Sequence, residues 1–571
     1  MTKKHFTYRG SIVAWLFMAA LMTGSLSAKD IFISQNGGAG TNTVAWLNVA
    51  TNWNDVTIAP GDVVNLVGII TNKIQVQGSG TVLKPITLKF APGSLLTAPT
   101  WNTNRSGFVQ SSAAIWGNSF HDVIIDGAII NCTSNGNTRL MFTNQNVGIY
   151  FQNCQNLEIK NCIITNLSVD IVSTNAVLNP LWDGVHNGGN YEPKWQFKYP
   201  TAGGNGIYIA GQNLTNISVH NNFVDWSGNG ILLSMDTGYH ANIQLYSNTV
   251  FHCSWGLGWL QSAANTICKD SSIWANWVAN QTNYDGNPNA DAAGNPNHQD
   301  GMIVSCNTPS GYNTNMKIYR NKFGPSIGVL SSAYLYQETN FHATNWQGLA
   351  ICDNVFLAQD INDHPTGIMI INGDAIKVFN NTIISSVTTG NDGWPLFRPV
   401  STGRLTGIIA NSSGARAFFW TNNLVVNCGY AVGALGQVDQ APSADYNAYF
   451  WPFNILSTFD VNAENGLQFG TVPGSNAHAT FSNWQTMRCD IHGFATTAAA
   501  RLNSEGIPFP NSLIARAGVN LTSMYAALGI PPVDFAGNPR PATDPWTIGA
   551  YEVARATNSM VPPFLKTITP R

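Results

Sequence analysis

The chain is short of charge. Lys, Arg, Asp and Glu make up 10% of its 571 residues, against roughly 25% in an average globular domain. With 44% hydrophobic and 11% aromatic residues, that shortage excludes general disorder, because disordered chains are charge-rich and poor in aromatics. The Glu, Lys and Leu heptads of a coiled coil are missing. A basic field is missing too: the net charge is −3 and the pI about 6.4, so no nucleic-acid partner is expected. There is no CxxC pair among the nine cysteines, which argues against a zinc site. Cys132, Cys154 and Cys162 lie close in sequence, which leaves one bridge among them or buried thiols as the alternatives.

Long apolar runs are scarce as well. The one near the N-terminus, residues 12–22, follows Lys3, Lys4 and Arg9 and precedes Ser25-Leu26-Ser27-Ala28. This is the layout of a secretory signal over residues 1–28, and the run is short for a membrane span. The mature protein is expected to be exported, to lack a membrane span and to be a monomer.

Abundance lies in Gly, 53 residues, and Asn, 66 residues. The Asn are not scattered. An apolar residue, Asn three positions on and a β-former two further recur as Val219/Asn222/Val224, Leu245/Asn248/Val250, Ile273/Asn276/Val278, Ile318/Asn321/Phe323, Ile351/Asn354/Phe356, Val378/Asn381/Ile383 and Trp420/Asn423/Val425. Ile125/Ile130 and Ile159/Ile164 are copies without the Asn. Spacings of 26, 28, 45, 33, 27 and 42 residues fit coils of a solenoid, the long ones carrying inserted loops. The expected fold is all-β, a right-handed parallel β-helix with inserted loops. Stacked coils would place the seven Asn in one amide ladder at αL-tolerant corners. A Gly at the start of a strand (Gly148, Gly206, Gly230, Gly256, Gly301, Gly367, Gly407) would admit φ > 0. The expected organisation is a signal at 1–28, an opening cap segment at 29–118, coils at 119–440 and last coils with a C-terminal segment at 441–571.

The ends carry a resemblance. Asp30-Ile31-Phe32-Ile33-Ser34, Trp46, Pro60-Gly61-Asp62-Val63-Val64 and Lys84-Pro85-Ile86-Thr87 resemble the opening of secreted pectate-lyase-like β-helix proteins. Phe481-Ser482-Asn483-Trp484, Asp490-Ile491-His492, Gly537-Asn538-Pro539-Arg540-Pro541 and Ile548-Gly549-Ala550-Tyr551-Glu552 resemble their C-terminal part. The resemblance implies export and an extended polysaccharide as partner. It assigns no activity: the Arg-His-Gly string of alginate and chondroitin lyases, the Asp-Pro-His-Asp of mannuronan epimerases and the polygalacturonase strings are all absent. The nearest string is Asn297-His298-Gln299-Asp300-Gly301.

His298 and Asp300, ahead of an expected strand, are candidates for general base and acid, with Lys269 as an alternative base; a capped turn and a solvated His are the plain alternative. His252, Asp236, His240 and Asp270 lie on nearby expected coils. Asp285, Asn287, Asn289 and Asp291 follow the first half of an oxygen-ligand calcium loop, although Pro296 stands where the twelfth ligand belongs. Arg320 and Asp353 share a column position and are expected to pair across the surface. Tyr246, Trp274 and Tyr319 would form an outward aromatic row for stacking sugars or beneath another chain segment. The insertion at 169–204 brings Trp182, Tyr191 and Trp195. The expected function is a lyase of acidic polysaccharides, calcium-assisted if the loop binds the ion. The alternatives are a glycoside hydrolase and a noncatalytic glycan-binding protein.

Overall fold

A computed structural model describes residues 28–553, apart from 54–56, 100, 102–111, 134–145, 168–203, 262, 281–298, 307, 309, 326–330, 339–344, 359–365, 371–374, 386–405, 411–418, 428–429, 433–442, 451–467, 472–477, 480 and 487. The chain winds into a right-handed parallel β-helix. Each full coil runs over three faces. Gln155–Lys160, Thr215–His220 and Gly238–Tyr246 lie on the first face. Ile163–Thr165 and the opening residues of Phe223–Met235 and Thr249–Gln261 lie on the second. Val147–Gln152, Asn205–Gly211 and the rest of those two long strands form the third. Among the described strands, antiparallel pairing is confined to Asn36–Gly38 with Thr41–Thr43 and Gln468–Thr471 with His478–Ala479.

The sequence repeat is the axial register. Ile31, Val64, Leu88, Ile125, Ile159, Val219, Leu245, Ile273, Ile318, Ile351, Val378, Trp420 and Ala444 are consecutive partners in one buried column. Neighbours in such a column are about 4.8 Å apart. Every coil therefore buries its aliphatic residues against the previous one, and the core grows without ion pairs.

Asn–Asn hydrogen bonds run beside this column. Asn222 donates its Nδ2 to Asn248 Oδ1 at 2.9 Å, and Asn248 donates to Asn276 at 2.9 Å. Bonds of 2.9–3.0 Å continue through Asn321, Asn354, Asn381 and Asn423 to Asn447, which donates to Asp490 Oδ1 at 2.6 Å. Each Oδ1 also accepts a backbone N–H of the preceding coil, as Asn276 does from Asn248 N at 3.0 Å. The left-handed conformation belongs to the residue before each of these Asn: Asn221, Ser247, Ala275, Arg320, Asp353, Asn380 and Asn422 have φ between 53° and 58°. The corner turns on that residue, so the following Asn points inward, where its amide replaces lost water for the buried backbone.

The strand-opening glycines also differ from expectation. Gly148, Gly206, Gly230 and Gly256 do not have positive φ. Their constraint is space: a Cβ on Gly206 would press into Val224 and lie 2.5 Å from Gly230 O, and one on Gly256 would press into Val278. The cysteines settle as buried thiols. Cys132, Cys154, Cys162, Cys253, Cys268, Cys306, Cys352 and Cys489 are all free, and burial pushes the Cys154 thiol up to about 11. Cys428 lies outside the described residues.

The C-terminal segment returns along the solenoid and covers its later coils. Leu521, Tyr525, Ile530 and Trp546 pack on Ala350, Cys352 and Phe379. Ala500, Ile514 and Ile548 pack on Leu424, Val426, Ala448 and Phe450. Arg540 anchors it: the guanidinium is fully buried and donates to Asp353 Oδ1 at 2.7 Å and Gly549 O at 3.0 Å. Tyr525 Oη donates to Asp353 Oδ2 at 2.5 Å. The expected Arg320–Asp353 pair is therefore replaced. Asp353 is taken by the returning segment, and the Arg320 guanidinium lies over Trp274 and Tyr319 at 5.5 and 5.3 Å.

Candidate functional site

Two consecutive coils pass from the second face to the third without an insertion. Phe223–Met235 and Thr249–Gln261 run through this corner as unbroken strands, bent at Trp226 (φ 54°) and His252 (φ 46°). The equivalent corner residue is Asn166 one coil earlier and Asn280 one coil later, both also at positive φ. The position suits Asn; a Trp and a His there hold a conformation that costs a bulky residue on the order of 1–2 kcal/mol. Residues 168–203 and 281–298 fall at this same connection in the preceding and following coils.

The side chains at the corner form one group. His252 Nδ1 and Asp225 Oδ1 are 2.7 Å apart, and both side chains are partly exposed. The carboxylate accepts from Nδ1, which leaves Nε2 as the basic nitrogen of the neutral ring. The Trp226 ring stacks on the imidazole at 4.4 Å and 7°, so the ring plane is held as well as the tautomer. Phe251 meets the His252 ring at 6.4 Å and 77°, Phe223 at 6.0 Å and 88°, and Trp277 at 4.8 Å and 85°. Just beyond the corner, Asn205, Asn229, Trp255 and Asp300 are register partners on the third face, and Asn229 Nδ2 donates to Asn205 Oδ1 at 2.7 Å.

The expected site residues are dispersed by this geometry. Asp300 is fully buried at the start of Gln299–Cys306, beneath the position expected of a solvent-facing acid. Lys269 is on the first face, in register with Ala241 and Thr314, so it does not join Asp300. Its ammonium lies over the Tyr239 and Tyr312 rings at 5.9 and 6.0 Å. His240 is buried and its nitrogens are engaged by Leu214 N at 3.2 Å and Asp236 O at 2.8 Å; burial lowers its basicity. Asp270 accepts from Asn315 Nδ2 at 3.1 Å. His298, Trp182, Tyr191, Trp195, Asp285, Asn287, Asn289 and Asp291 lie outside the described residues. Among the described residues, no group of three or more His, Cys, Asp or Glu is placed to hold a metal ion.

The outward aromatic row is present on the first face, but its rings close on one another. His220 stacks on Tyr246 at 4.5 Å, Tyr246 on Trp274 at 4.6 Å and Trp274 on Tyr319 at 5.8 Å, all within 9° of parallel. Each inner ring, Tyr246 and Trp274, therefore has both faces occupied by its neighbours. The continuation of the row, Cys352 and Phe379, is covered by the C-terminal segment.

Sequence reading reached His252 but not Asp225 or Trp226. The signal was available in the offsets: Trp226, His252 and Asn280 each stand four residues after a repeat Asn.

No protein-family model and no curated protein sequence matches this chain. Solved structures with a similar course include a lacto-N-biosidase of Eubacterium ramulus, at a TM-score of 0.38 and 11% identity over 68% of this chain and 67% of that one. A pectate lyase, Pel9A, gives 0.35 and 11% over 92% and 97%. An alginate lyase of Paenibacillus gives 0.29 and 11% over 68% and 95%. The fold itself is read from the strand register above.

Proposed function

We propose that the protein is carbohydrate-active and cleaves an extended acidic polysaccharide by β-elimination at the corner between the second and third faces. The observation that carries this reading is the His252–Asp225 pair, 2.7 Å apart, with the imidazole clamped by Trp226. β-Elimination needs one positioned base. His252 Nε2 takes the proton α to the uronate carboxylate, the C–H electron pair becomes the carbon–carbon double bond, and the glycosidic oxygen leaves the β carbon with its bonding pair and takes a proton from water. Asp225 orients the imidazole and balances the charge it gains. Hydrolysis would need two carboxyl groups about 5–9.5 Å apart across the bond. At the described corner Asp225 is engaged with His252 and Asp300 is buried, which favours elimination. With the export signal expected at residues 1–28, the site of action would be outside the cytoplasm.

The test is turnover of uronate-containing polymers. The wild-type protein should generate unsaturated ends that absorb in the ultraviolet. His252→Ala should lower kcat about 10²- to 10⁴-fold. Reducing ends without that absorbance would overturn elimination, and undiminished turnover in His252→Ala would remove the corner as the site.

A further inference from the structure

The second face beside the corner carries residues that the reaction does not use. Phe223, Phe251 and Trp277 are partly exposed on successive coils, and their contacts are edge-to-face at 85–88°. In each such pair only one ring offers its face to the other, so these rings do not stack face to face as those on the first face do. One coil on from Trp277 stands its register partner Lys322, with the ammonium 4.9 Å over the Trp277 ring. That ammonium is ion-paired with Glu505, whose side chain is 49% exposed. Glu505 sits on a tight turn in which Asn503 Oδ1 accepts from the N–H of Glu505 at 3.0 Å and of Ile507 at 2.9 Å. The returning C-terminal segment covers the second face from Val355 onward, through Ala550 and Tyr551. It also reaches Lys322, through Glu505, and Ile163, the register partner of Phe223 one coil earlier, is 39% exposed.

We propose that Phe223, Phe251, Trp277 and Lys322 form a binding surface for an acidic polysaccharide, and that Glu505 occupies the place of a ligand carboxylate on Lys322. The surface lies outside the third-face strands and reaches the corner through Phe251, the chain neighbour of His252. An exposed ion pair contributes little, about 0–1 kcal/mol, so a polymer carboxylate can displace Glu505 while sugar rings pack on the partly exposed aromatic side chains. Charge complementarity selects the occupant: a single buttressed cation next to rings suits a uronate chain and gives a neutral glycan no partner for Lys322. This inference rests on the proposed function only in taking a polysaccharide as the ligand.

The experiment is gel retardation of full-length His252→Ala protein, which leaves the polymer intact, in polygalacturonate and in a neutral β-glucan. Retardation is expected in polygalacturonate alone. Trp277→Ala and Lys322→Gln should each weaken it. Glu505→Gln should strengthen it about two- to fivefold, the range open to an exposed ion pair, and a gain of binding cannot arise from misfolding. Equal retardation by the neutral polymer, no retardation by polygalacturonate, or unchanged mobility in the Trp277, Lys322 and Glu505 variants would each overturn the surface. Unchanged binding in those variants with turnover lost in His252→Ala would sink the surface and leave the reaction standing. The opposite pair of results would keep the surface and remove the reaction.

Discussion

Two histidines on one coil show how environment assigns roles to one side-chain type. His240 is buried with both nitrogens committed to backbone groups, and burial lowers its basicity. His252 has one nitrogen fixed by Asp225 and a partly exposed ring. A third case concerns a carboxylate. Burial pushes the Glu158 carboxyl up, but hydrogen bonds from His220 at 2.9 Å and Lys160 at 3.0 Å, with their charges, outweigh it and leave it below its ordinary value. A depressed carboxylate stabilises the fold above its unfolded value, and that contribution is lost as pH falls through the folded value. Glu158→Gln should therefore lower the denaturation midpoint at neutral pH. The difference from wild type should shrink to nothing as the solution is acidified, read from urea midpoints across the acid range.

At the level of the coil, position in the corner decides what an Asn is worth. Asn276 accepts two buried donors from Asn248. Asn276→Ala leaves both unsatisfied, at about 1–3 kcal/mol each. Asn216 belongs to a second row, on the outside: it donates to Asn156 Oδ1 at 2.7 Å and accepts from Asn242 at 2.9 Å, at φ 54°. Water replaces those partners, so Asn216→Ala should cost only the left-handed backbone penalty, about 1 kcal/mol. Comparing the urea midpoints of the two variants checks the contrast; equal losses would mean that the inner bonds are no better sheltered than the outer ones.

For the molecule as a whole, the solenoid is closed by residues far away in the chain. Arg540 reaches Asp353 over 187 positions, and the contact is wholly buried. Arg540→Ala would leave the Asp353 carboxylate buried without its cation, at a cost of about 3–5 kcal/mol. Since the C-terminal segment covers Ala350, Cys352, Phe379 and Leu424, the variant should release these coils first. Faster proteolysis within residues 500–553 and reaction of the Cys352 thiol with an alkylating reagent should accompany the lower midpoint.

The repeat alone determined the coil, the inward aliphatic column and the alignment of the repeat Asn from coil to coil, because one sequence period is one step along the axis and neighbours in the repeat become neighbours in space; that these Asn point inward was decided by the left-handed residue before each of them. The repeat also placed Tyr246, Trp274 and Tyr319 in one outward row. Whether those rings faced solvent or each other was settled by side-chain packing at a fixed strand spacing, on which the order of residues is silent. The fate of Asp353 was hidden for a different reason. Its partner comes from an aperiodic segment on the far side of the chain, and no spacing announces such a contact. The same holds for the corner: His252 was visible as a titratable residue near the expected coils. Only the bend at Trp226 and His252, set by a left-handed backbone position in two unbroken strands, brought Asp225 to its ring.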